Sequence, residues 1–201
     1  MARVRHQVSQ DTGTEDCRCP SSDLGLPVSR RALAVLIVLA SLVIAALAVY
    51  RGRVTWLAPD FVLEDLNGHT VRLFDFRGKV VFINLWTTWC EPCRVEMPSM
   101  EALYQRLRDD GLVMLAVNAD ANGREAVELF VRKLGLTFPV LLDPDGVVPG
   151  RYGATGYPET FIVDRDGRVV AHEIGPQDWS EVRFEKALRV LMESGEYERP
   201  G

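Results

Sequence analysis

The sequence has 201 residues, of which 47% are hydrophobic and 25% are charged, and its formal net charge at pH 7 is −5. This length suffices for one ordinary globular domain and one additional element. No cluster of Lys and Arg forms a basic patch, which argues against nucleic-acid binding. The four cysteines are too few for the disulfide framework of a small secreted scaffold.

The first 29 residues are polar, with scattered Gly, Pro, Ser and Asp, so we predict that residues 1–29 form a disordered tail. Cys17 and Cys19 lie in this tail, but a Cys-x-Cys without further ligands is more often incidental than functional. Arg outnumbers Lys twenty to three, which is typical of GC-rich coding, where non-ATG starts are common. The start is therefore open to reassignment, and we also consider translation from Val28.

Residues 32–50 form an uncharged stretch of nineteen residues between two pairs of arginines. The stretch is long enough to cross a bilayer as a helix, and a domain of this size offers no place to bury it. A cleaved signal peptide is the main alternative, because residues 46–48, Ala-Leu-Ala, resemble a small-x-small cleavage site. The stretch is long for a signal peptide, so we predict an uncleaved transmembrane anchor.

From residue 54 onward the pattern alternates between strands and helices. Asn67-Gly68 predicts a hairpin turn between two short strands. A continuous apolar run at residues 80–86 is typical of a buried central strand. Asp178 and Glu181 have the spacing of a capping box and predict the start of the last helix. The other predicted elements are strands at 112–117 and 140–142, helices at about 90–109 and 124–134, and a hairpin of 160–163 with 168–172.

Cys90 and Cys93 directly follow the apolar strand and begin the first helix of this domain. A sulfur at a helix N-terminus meets unpaired backbone N–H groups and the helix dipole, which favour the thiolate. The second cysteine lies one turn deeper, within disulfide reach. A structural zinc site would need four ligands, and no second Cys-x-x-Cys or His-x-x-x-His follows. The pattern therefore predicts a redox-active disulfide with no metal or other cofactor.

The order of elements predicts a thioredoxin-like α/β domain over residues 54–201, with an N-terminal β-hairpin extension and one transmembrane helix before it. About two thirds of the chain resembles the membrane-anchored thiol-disulfide oxidoreductases of the TlpA, ResA and CcmG (DsbE) family. The motifs that carry this resemblance are Ala-Pro-Asp-Phe at 58–61, Gly-Lys-Val-Val at 78–81, Asn-x-Trp at 84–86, Trp-Cys-x-x-Cys-Arg-x-Glu-x-Pro at 89–98, Phe-Pro-Val-x-x-Asp at 138–143 and Gly-Tyr-Pro-Glu-Thr-Phe at 156–161.

The resemblance implies that Cys90 is the attacking thiolate, exposed at the helix start, and that Cys93 is the resolving thiol. Glu91 places a negative charge beside the thiolate, which favours a reductant over a strong oxidant. Glu96 shares a helix face with Cys93, and the resemblance implies that it exchanges a proton with that thiol. Burial near the disulfide would raise its pKa, whereas an ordinary exposed glutamate is the alternative.

Tyr157 and Pro158 match the thioredoxin-fold proline, whose preceding peptide bond is cis and whose neighbour offers backbone groups to a bound peptide. A trans turn proline is the alternative. Glu159 either orients substrate or simply begins a strand. Trp89 and Trp86 are candidates for an apolar rim around the disulfide, although core packing explains Trp86 equally well.

The resemblance implies a disulfide reductase on the extracytoplasmic side of the inner membrane, supplied with electrons by a membrane donor of the CcdA or DsbD type. Apocytochrome c is the expected substrate, and a general extracytoplasmic disulfide reductase is the alternative. A copper- or haem-binding assembly module is a third possibility, for which His172 or His69 would add a ligand. Peroxidase activity is disfavoured, because Ile83 stands where a peroxiredoxin has proline.

Overall fold

The computed structural model of the chain describes residues 30–51, 55–121 and 123–200. The predicted disordered tail 1–29, with Cys17, Cys19 and the alternative start at Val28, lies outside these residues. The chain divides into two compact units, residues 1–48 and 49–201.

The described residues of the first unit all belong to helix α1, Arg30–Arg51, whose last three residues are counted with the second unit. The hydroxyl of Ser41 donates a hydrogen bond to the carbonyl of Ile37 one turn earlier, at 2.8 Å. Apolar side chains between residues 33 and 43 are exposed on this helix. No helix in the described part of the chain is both long enough and apolar enough to cross a membrane.

The second unit is built on one eight-stranded sheet with the strand order β1-β8-β7-β4-β5-β6-β2-β3. Strands β4, β5 and β6 run parallel to one another, and the other neighbours pair antiparallel. The strands are β1 Trp56–Leu57, β2 Val62–Asp65, β3 Thr70–Arg72, β4 Val81–Trp86, β5 Val113–Asn118, β6 Val140–Leu142, β7 Glu159–Val163 and β8 Arg168–Ile174. The helices are α2 Glu91–Leu107, α3 Arg124–Leu134, α4 Val147–Tyr152 and α5 Val182–Ser194.

Strand β4 is buried along its whole length, and its alternate side chains enter two separate cores. Phe82 and Trp86 face the core that contains side chains of α2, α3 and α5. Val81, Ile83 and Leu85 face the other core, to which α4 and the segment before β2 contribute. Helical layers therefore cover both faces of the sheet, which explains why the sequence of β4 is a continuous apolar run rather than an alternating one.

This architecture confirms the predicted thioredoxin-like α/β fold. The hairpin at Asn67-Gly68 is also confirmed, since β2 and β3 pair on either side of it and Gly68 adopts the positive φ of 82° that the turn requires. This hairpin extends the sheet beyond β6. Strand β1 and helix α4 were not predicted from the sequence.

The predicted capping box at the last helix is wrong. Helix α5 begins at Val182, and its N-cap residue, Glu181, makes no side-chain capping bond. The carboxylate of Asp178 instead accepts hydrogen bonds from the backbone and hydroxyl of Ser180. The Asp178 carboxylate, which the capping box would have used as its acceptor, therefore forms part of a short local turn instead.

The contact between Phe82 of the central strand and Trp179, which precedes α5, should contribute strongly to the stability of the domain. Phe82 is fully buried, and its ring meets that of Trp179 edge-on at a centroid distance of 4.7 Å. We expect Phe82→Ala to lower the free energy of unfolding by about 3–5 kcal/mol, as large cavities in cores do. Val95→Ala, at a side chain 69% exposed on α2, is the control and should change it by less than about 0.5 kcal/mol. Denaturant titration measures both, and equal effects would contradict this packing.

Candidate active site

Cys90 and Cys93 form a disulfide at the junction of β4 and α2, with their Cα atoms 5.3 Å apart. Cys90 is the N-cap residue of α2, and its sulfur accepts a hydrogen bond from the backbone N–H of Cys93 at 3.2 Å. The expectation of an exposed Cys90 is wrong for this oxidised form, because Cys90 is only 5% exposed. Cys93 is completely buried, so Cys90 is still the more accessible cysteine.

The loop before the disulfide is held by a carboxylate that the sequence analysis missed. Asp120, just after β5, accepts hydrogen bonds from the backbone N–H of Thr88 and from the side-chain amide of Asn118, both at 2.9 Å. Asn118 pairs with Trp86 in the parallel register of β5 and β4. The parallel strands β4 and β5 end on the same side of the sheet, so the polar residues after β5 could have predicted a contact with the loop after β4.

Glu96 is nearly completely buried on the inner face of α2. One carboxylate oxygen accepts a hydrogen bond from the side-chain amide of Asn84 at 2.9 Å, and the other accepts from the indole N–H of Trp179 and the backbone N–H of Gln177 at 3.2 Å. Burial raises the pKa of Glu96 to about 6, although these three hydrogen bonds act in the opposite direction. The predicted direction of the pKa change is confirmed.

The residues around Glu96 come from distant parts of the chain. Asn84 lies on β4 and also donates a hydrogen bond to the hydroxyl of Thr160 on β7, at 2.9 Å. Trp179 and Gln177 precede α5, and the sequence analysis assigned them no role. Groups from β4 and from the segment before α5 thus enclose a carboxylate one helical turn from Cys93.

The peptide bond between Tyr157 and Pro158 is cis, as predicted. Strand β7 begins directly afterwards, and Glu159 pairs with Leu85 near the end of β4. This register places Pro158 near the carboxyl end of β4, where the disulfide lies. The ring of Tyr157 contacts Trp89 edge-on at a centroid distance of 6.0 Å.

The two tryptophans of the motif have different environments. Trp89, beside Cys90, is 72% exposed, so it and Tyr157 form an apolar surface next to the disulfide. Trp86 is fully buried and packs against Phe130 of α3, at a centroid distance of 5.1 Å. Core packing is therefore the correct explanation for Trp86, and only Trp89 belongs to the rim.

The side chain of Glu159 is fully buried beneath the loop that carries Tyr157. Its carboxylate accepts hydrogen bonds from the backbone and hydroxyl of Thr155, from the backbone of Gly156, and from Nε2 of His172. Burial by itself would raise the pKa of Glu159, but these hydrogen bonds outweigh it and hold the pKa below its ordinary value. The carboxylate acts on its own loop, so any effect on a substrate passes through Thr155 and Gly156.

A cavity of about 770 Å³ lies between the N-terminal hairpin and the loop after β5. Its lining includes Leu63 and Glu64 of β2, Arg124 of α3, and Asp120, which holds the loop before the disulfide. In the ranges 30–51, 55–121 and 123–200, no group of three or more His, Cys, Asp or Glu residues is arranged to hold a metal ion. His172, the extra ligand considered for copper, is hydrogen-bonded to Glu159 at 2.7 Å.

Comparison with known proteins gives a consistent picture. Residues 54–172 match the model of the AhpC/TSA family. The thiol-disulfide oxidoreductase ResA of Bacillus thuringiensis (strain Al Hakam) is 44% identical over 120 residues, which cover 60% of this chain and 69% of that protein.

Solved structures agree with the sequence comparison. A protein from Chlorobium tepidum assigned to the DsbE thiol:disulfide interchange proteins superposes with a TM-score of 0.63 and 32% identity, over 68% of this chain and 95% of the other. A secreted disulfide oxidoreductase of Mycobacterium tuberculosis, homologous to DsbE of E. coli, superposes with a TM-score of 0.53 and 26% identity, over 58% and 84% of the two chains.

The raised pKa of Glu96 predicts how stability depends on pH. Since the pKa rises from 4.5 to about 6 on folding, protonated Glu96 favours the fold below pH 4.5, and this contribution is lost as the pH rises through about 6. The difference corresponds to about 2 kcal/mol. We expect Glu96→Gln, which stays neutral, to remove this loss when unfolding is measured between pH 4 and pH 8.

Glu101→Gln is the matched control on the same helix. Burial raises the pKa of Glu101, but hydrogen bonds from Gln105 and Thr137 lower it by more, so its contribution is present at neutral pH and is lost towards acid. The Glu101→Gln protein should therefore keep the wild-type loss of stability around pH 6. Identical pH profiles for the wild type and Glu96→Gln would contradict the assignment.

Proposed function

The chain belongs to the AhpC/TSA family and is a thiol-disulfide oxidoreductase of the ResA and DsbE type, and we propose that it works as a reductant of disulfides in extracytoplasmic proteins. The observation that carries this proposal is the position of Glu96. A buried carboxylic acid with a pKa of about 6 lies one turn beyond the buried Cys93 of a Cys-x-x-Cys pair.

In the proposed reaction the reduced protein attacks a disulfide of its substrate. The Cys90 thiolate forms a mixed disulfide with one substrate sulfur, and the other substrate sulfur leaves as a thiolate. Cys93 then loses its proton and attacks the sulfur of Cys90, which releases the first substrate sulfur. Two electrons pass to the substrate, and the Cys90–Cys93 disulfide seen in this structure is the oxidised product.

Glu96 is proposed to serve the second step as a proton acceptor. Cys93 is completely buried, so its thiol needs a nearby base when it becomes the attacking thiolate. A carboxylate with a pKa near 6 is ionised at neutral pH and can take this proton. Glu91, which is exposed beside the disulfide, adds a negative charge that disfavours the thiolate and so favours the role of reductant.

Trp89, Tyr157 and Pro158 are proposed to form the substrate-binding surface. Trp89 and Tyr157 are in contact beside Cys90, and the exposed ring of Trp89 suits the apolar side chains that flank a disulfide in an unfolded protein. The backbone of Tyr157, next to the cis bond, is available for main-chain hydrogen bonds to an extended segment. Residues from two separate parts of the chain would then hold the substrate beside the disulfide.

The proposed substrate is apocytochrome c. Haem attachment at Cys-x-x-Cys-His requires two free thiols, which an oxidising compartment removes. A disulfide reductase that is itself kept reduced would restore these two thiols. The resemblance to ResA and CcmG supports the same substrate. A general extracytoplasmic disulfide reductase is the alternative.

We further propose that residues 32–50 anchor the chain in the inner membrane, with the redox domain outside the cytoplasm. The uncharged sequence of this stretch supports an anchor, as do the exposed apolar side chains of α1 between residues 33 and 43, although the described part of the helix is not by itself long and apolar enough to cross a membrane. The similarity to a secreted disulfide oxidoreductase supports the location. A membrane protein of the CcdA or DsbD type would supply the electrons.

Trapping of the mixed disulfide tests the cysteine roles. We expect Cys93→Ser to retain substrate proteins covalently on Cys90, because the resolving thiol is gone. Cys90→Ser is the matched control and should retain at least about tenfold less, since the remaining Cys93 is buried. Mass spectrometry of the trapped adducts identifies the substrates. Greater capture by the Cys90→Ser protein would reverse the assignment.

Deletion of the gene tests the substrate. Covalently haem-stained proteins should fall in the deletion strain and return when an external thiol is added, because the thiol replaces the missing reductant. Normal levels of c-type cytochromes, in a strain with no compensating homologue, would rule out apocytochrome c and leave the general reductase.

A further inference from the structure

The carboxylate of Glu159 divides its hydrogen bonds between two elements. Oε1 accepts from the backbone N–H of Thr155 at 2.6 Å, from its hydroxyl at 2.9 Å, and from the backbone N–H of Gly156 at 3.0 Å. Among the residues that the structure describes, Oε2 accepts a hydrogen bond from Nε2 of His172 alone, at 2.7 Å. Glu159 therefore connects the loop before Tyr157 to strand β8, and His172 provides the β8 end of this connection.

His172 is itself held firmly in place. It pairs with Phe161 in the register of β8 and β7, and its ring stacks on the ring of Phe161 with a centroid distance of 4.1 Å and an interplanar angle of 14°. Phe161 is completely buried, so the imidazole has a fixed plane against the core. A neutral imidazole protonated at Nε2 and an imidazolium both donate to Glu159, so the contact does not depend on the charge of the histidine.

Removal of His172 would leave Oε2 of Glu159 buried without a donor. A buried carboxylate that loses a hydrogen bond either takes up a proton or turns towards water. In both cases Oε1 becomes a weaker or displaced acceptor for Thr155 and Gly156. Those two residues immediately precede Tyr157, so the disturbance reaches the backbone next to the cis bond.

We propose that His172 is a positioning residue for protein substrates, which acts through Glu159 to fix the loop 155–157 beside the disulfide. The inference rests on the proposed function, since it requires that this loop contacts the substrate. When the substrate disulfide belongs to a protein, the chain segments on either side of its cysteines contact this loop. A small disulfide offers only its sulfurs and has little chain to contact the loop. Loss of His172 therefore affects the binding of proteins and leaves the sulfur chemistry intact.

The test compares the full chain with His172→Leu, which removes the donor, and His172→Gln, which keeps an N–H donor. The substrates are a synthetic peptide with an oxidised Cys-x-x-Cys-His sequence and, separately, oxidised glutathione. Dithiothreitol supplies the electrons that return the protein to its dithiol form, and its direct reaction with each substrate is subtracted. We expect His172→Leu to raise KM for the peptide about tenfold, with kcat and the rate with glutathione changed less than about twofold. His172→Gln should restore KM to within about threefold of the wild type.

His69→Leu is the matched control. His69 also contacts a carboxylate, that of Asp65 at 3.2 Å, but it lies exposed in the N-terminal hairpin. Its replacement should leave both substrates unaffected. Equal losses with peptide and glutathione in His172→Leu, or a His172→Gln protein no better than His172→Leu, would overturn the inference.

The activity of the wild type with the two substrates distinguishes a failure of this inference from a failure of the proposed function. A wild type that reduces glutathione but not the peptide refutes the proposed substrate class and the inference together. A wild type that reduces both, with an unchanged KM for the peptide in His172→Leu, refutes the inference alone.

Discussion

The site depends on the complete burial of β4. All six residues of this strand are buried, and hydrogen-bonded neighbours lie on both sides, so neither its register nor the place where it ends can shift without moving side chains between two cores. The disulfide follows the end of this strand. The neighbour β5 ends beside it and brings Asp120 to the preceding loop, while β7 begins beside it and brings Pro158. One strand thus aligns three separate segments around a pair of sulfurs.

Two buried glutamates show how the same side chain acquires opposite properties. Glu96 has three donors at 2.9–3.2 Å, which do not compensate for its burial, and its pKa rises to about 6. Glu159 has four contacts at 2.6–3.0 Å, two of them to backbone N–H groups, and its pKa falls. The first is suited to exchanging a proton and the second to remaining a fixed charge. At Glu96 the effect of burial on the pKa outweighs the hydrogen bonds, whereas at Glu159 the hydrogen bonds outweigh the effect of burial.

Local patterns in the sequence predicted much of this arrangement. The apolar run before Cys90 located the strand and the helix start, and the spacing of Glu96 from Cys93 placed both on one face of the helix, while the burial of Glu96 was implied by the family resemblance. The residues that complete the site were harder to find, because Trp179 reaches Glu96 across 83 positions of the chain and His172 meets Glu159 across a strand pair. The pairing of β7 with β8 was predicted, but not which polar side chains face each other. The capping-box prediction failed for a related reason, since Asp178 has a nearer partner in Ser180.

The two outermost strands of the sheet are short, and this limits how extended polypeptides can add to them. Within residues 55–121 and 123–200, the outermost strands β1 and β3 contain two and three residues. An extended polypeptide that added to β1 or β3 themselves would gain few main-chain hydrogen bonds, whereas β8 extends five residues beyond its pairing with β1. Long edges would recruit such polypeptides into intermolecular sheets, the first step of aggregation. The short outer strands therefore disfavour the addition of extended polypeptides at β1 and β3.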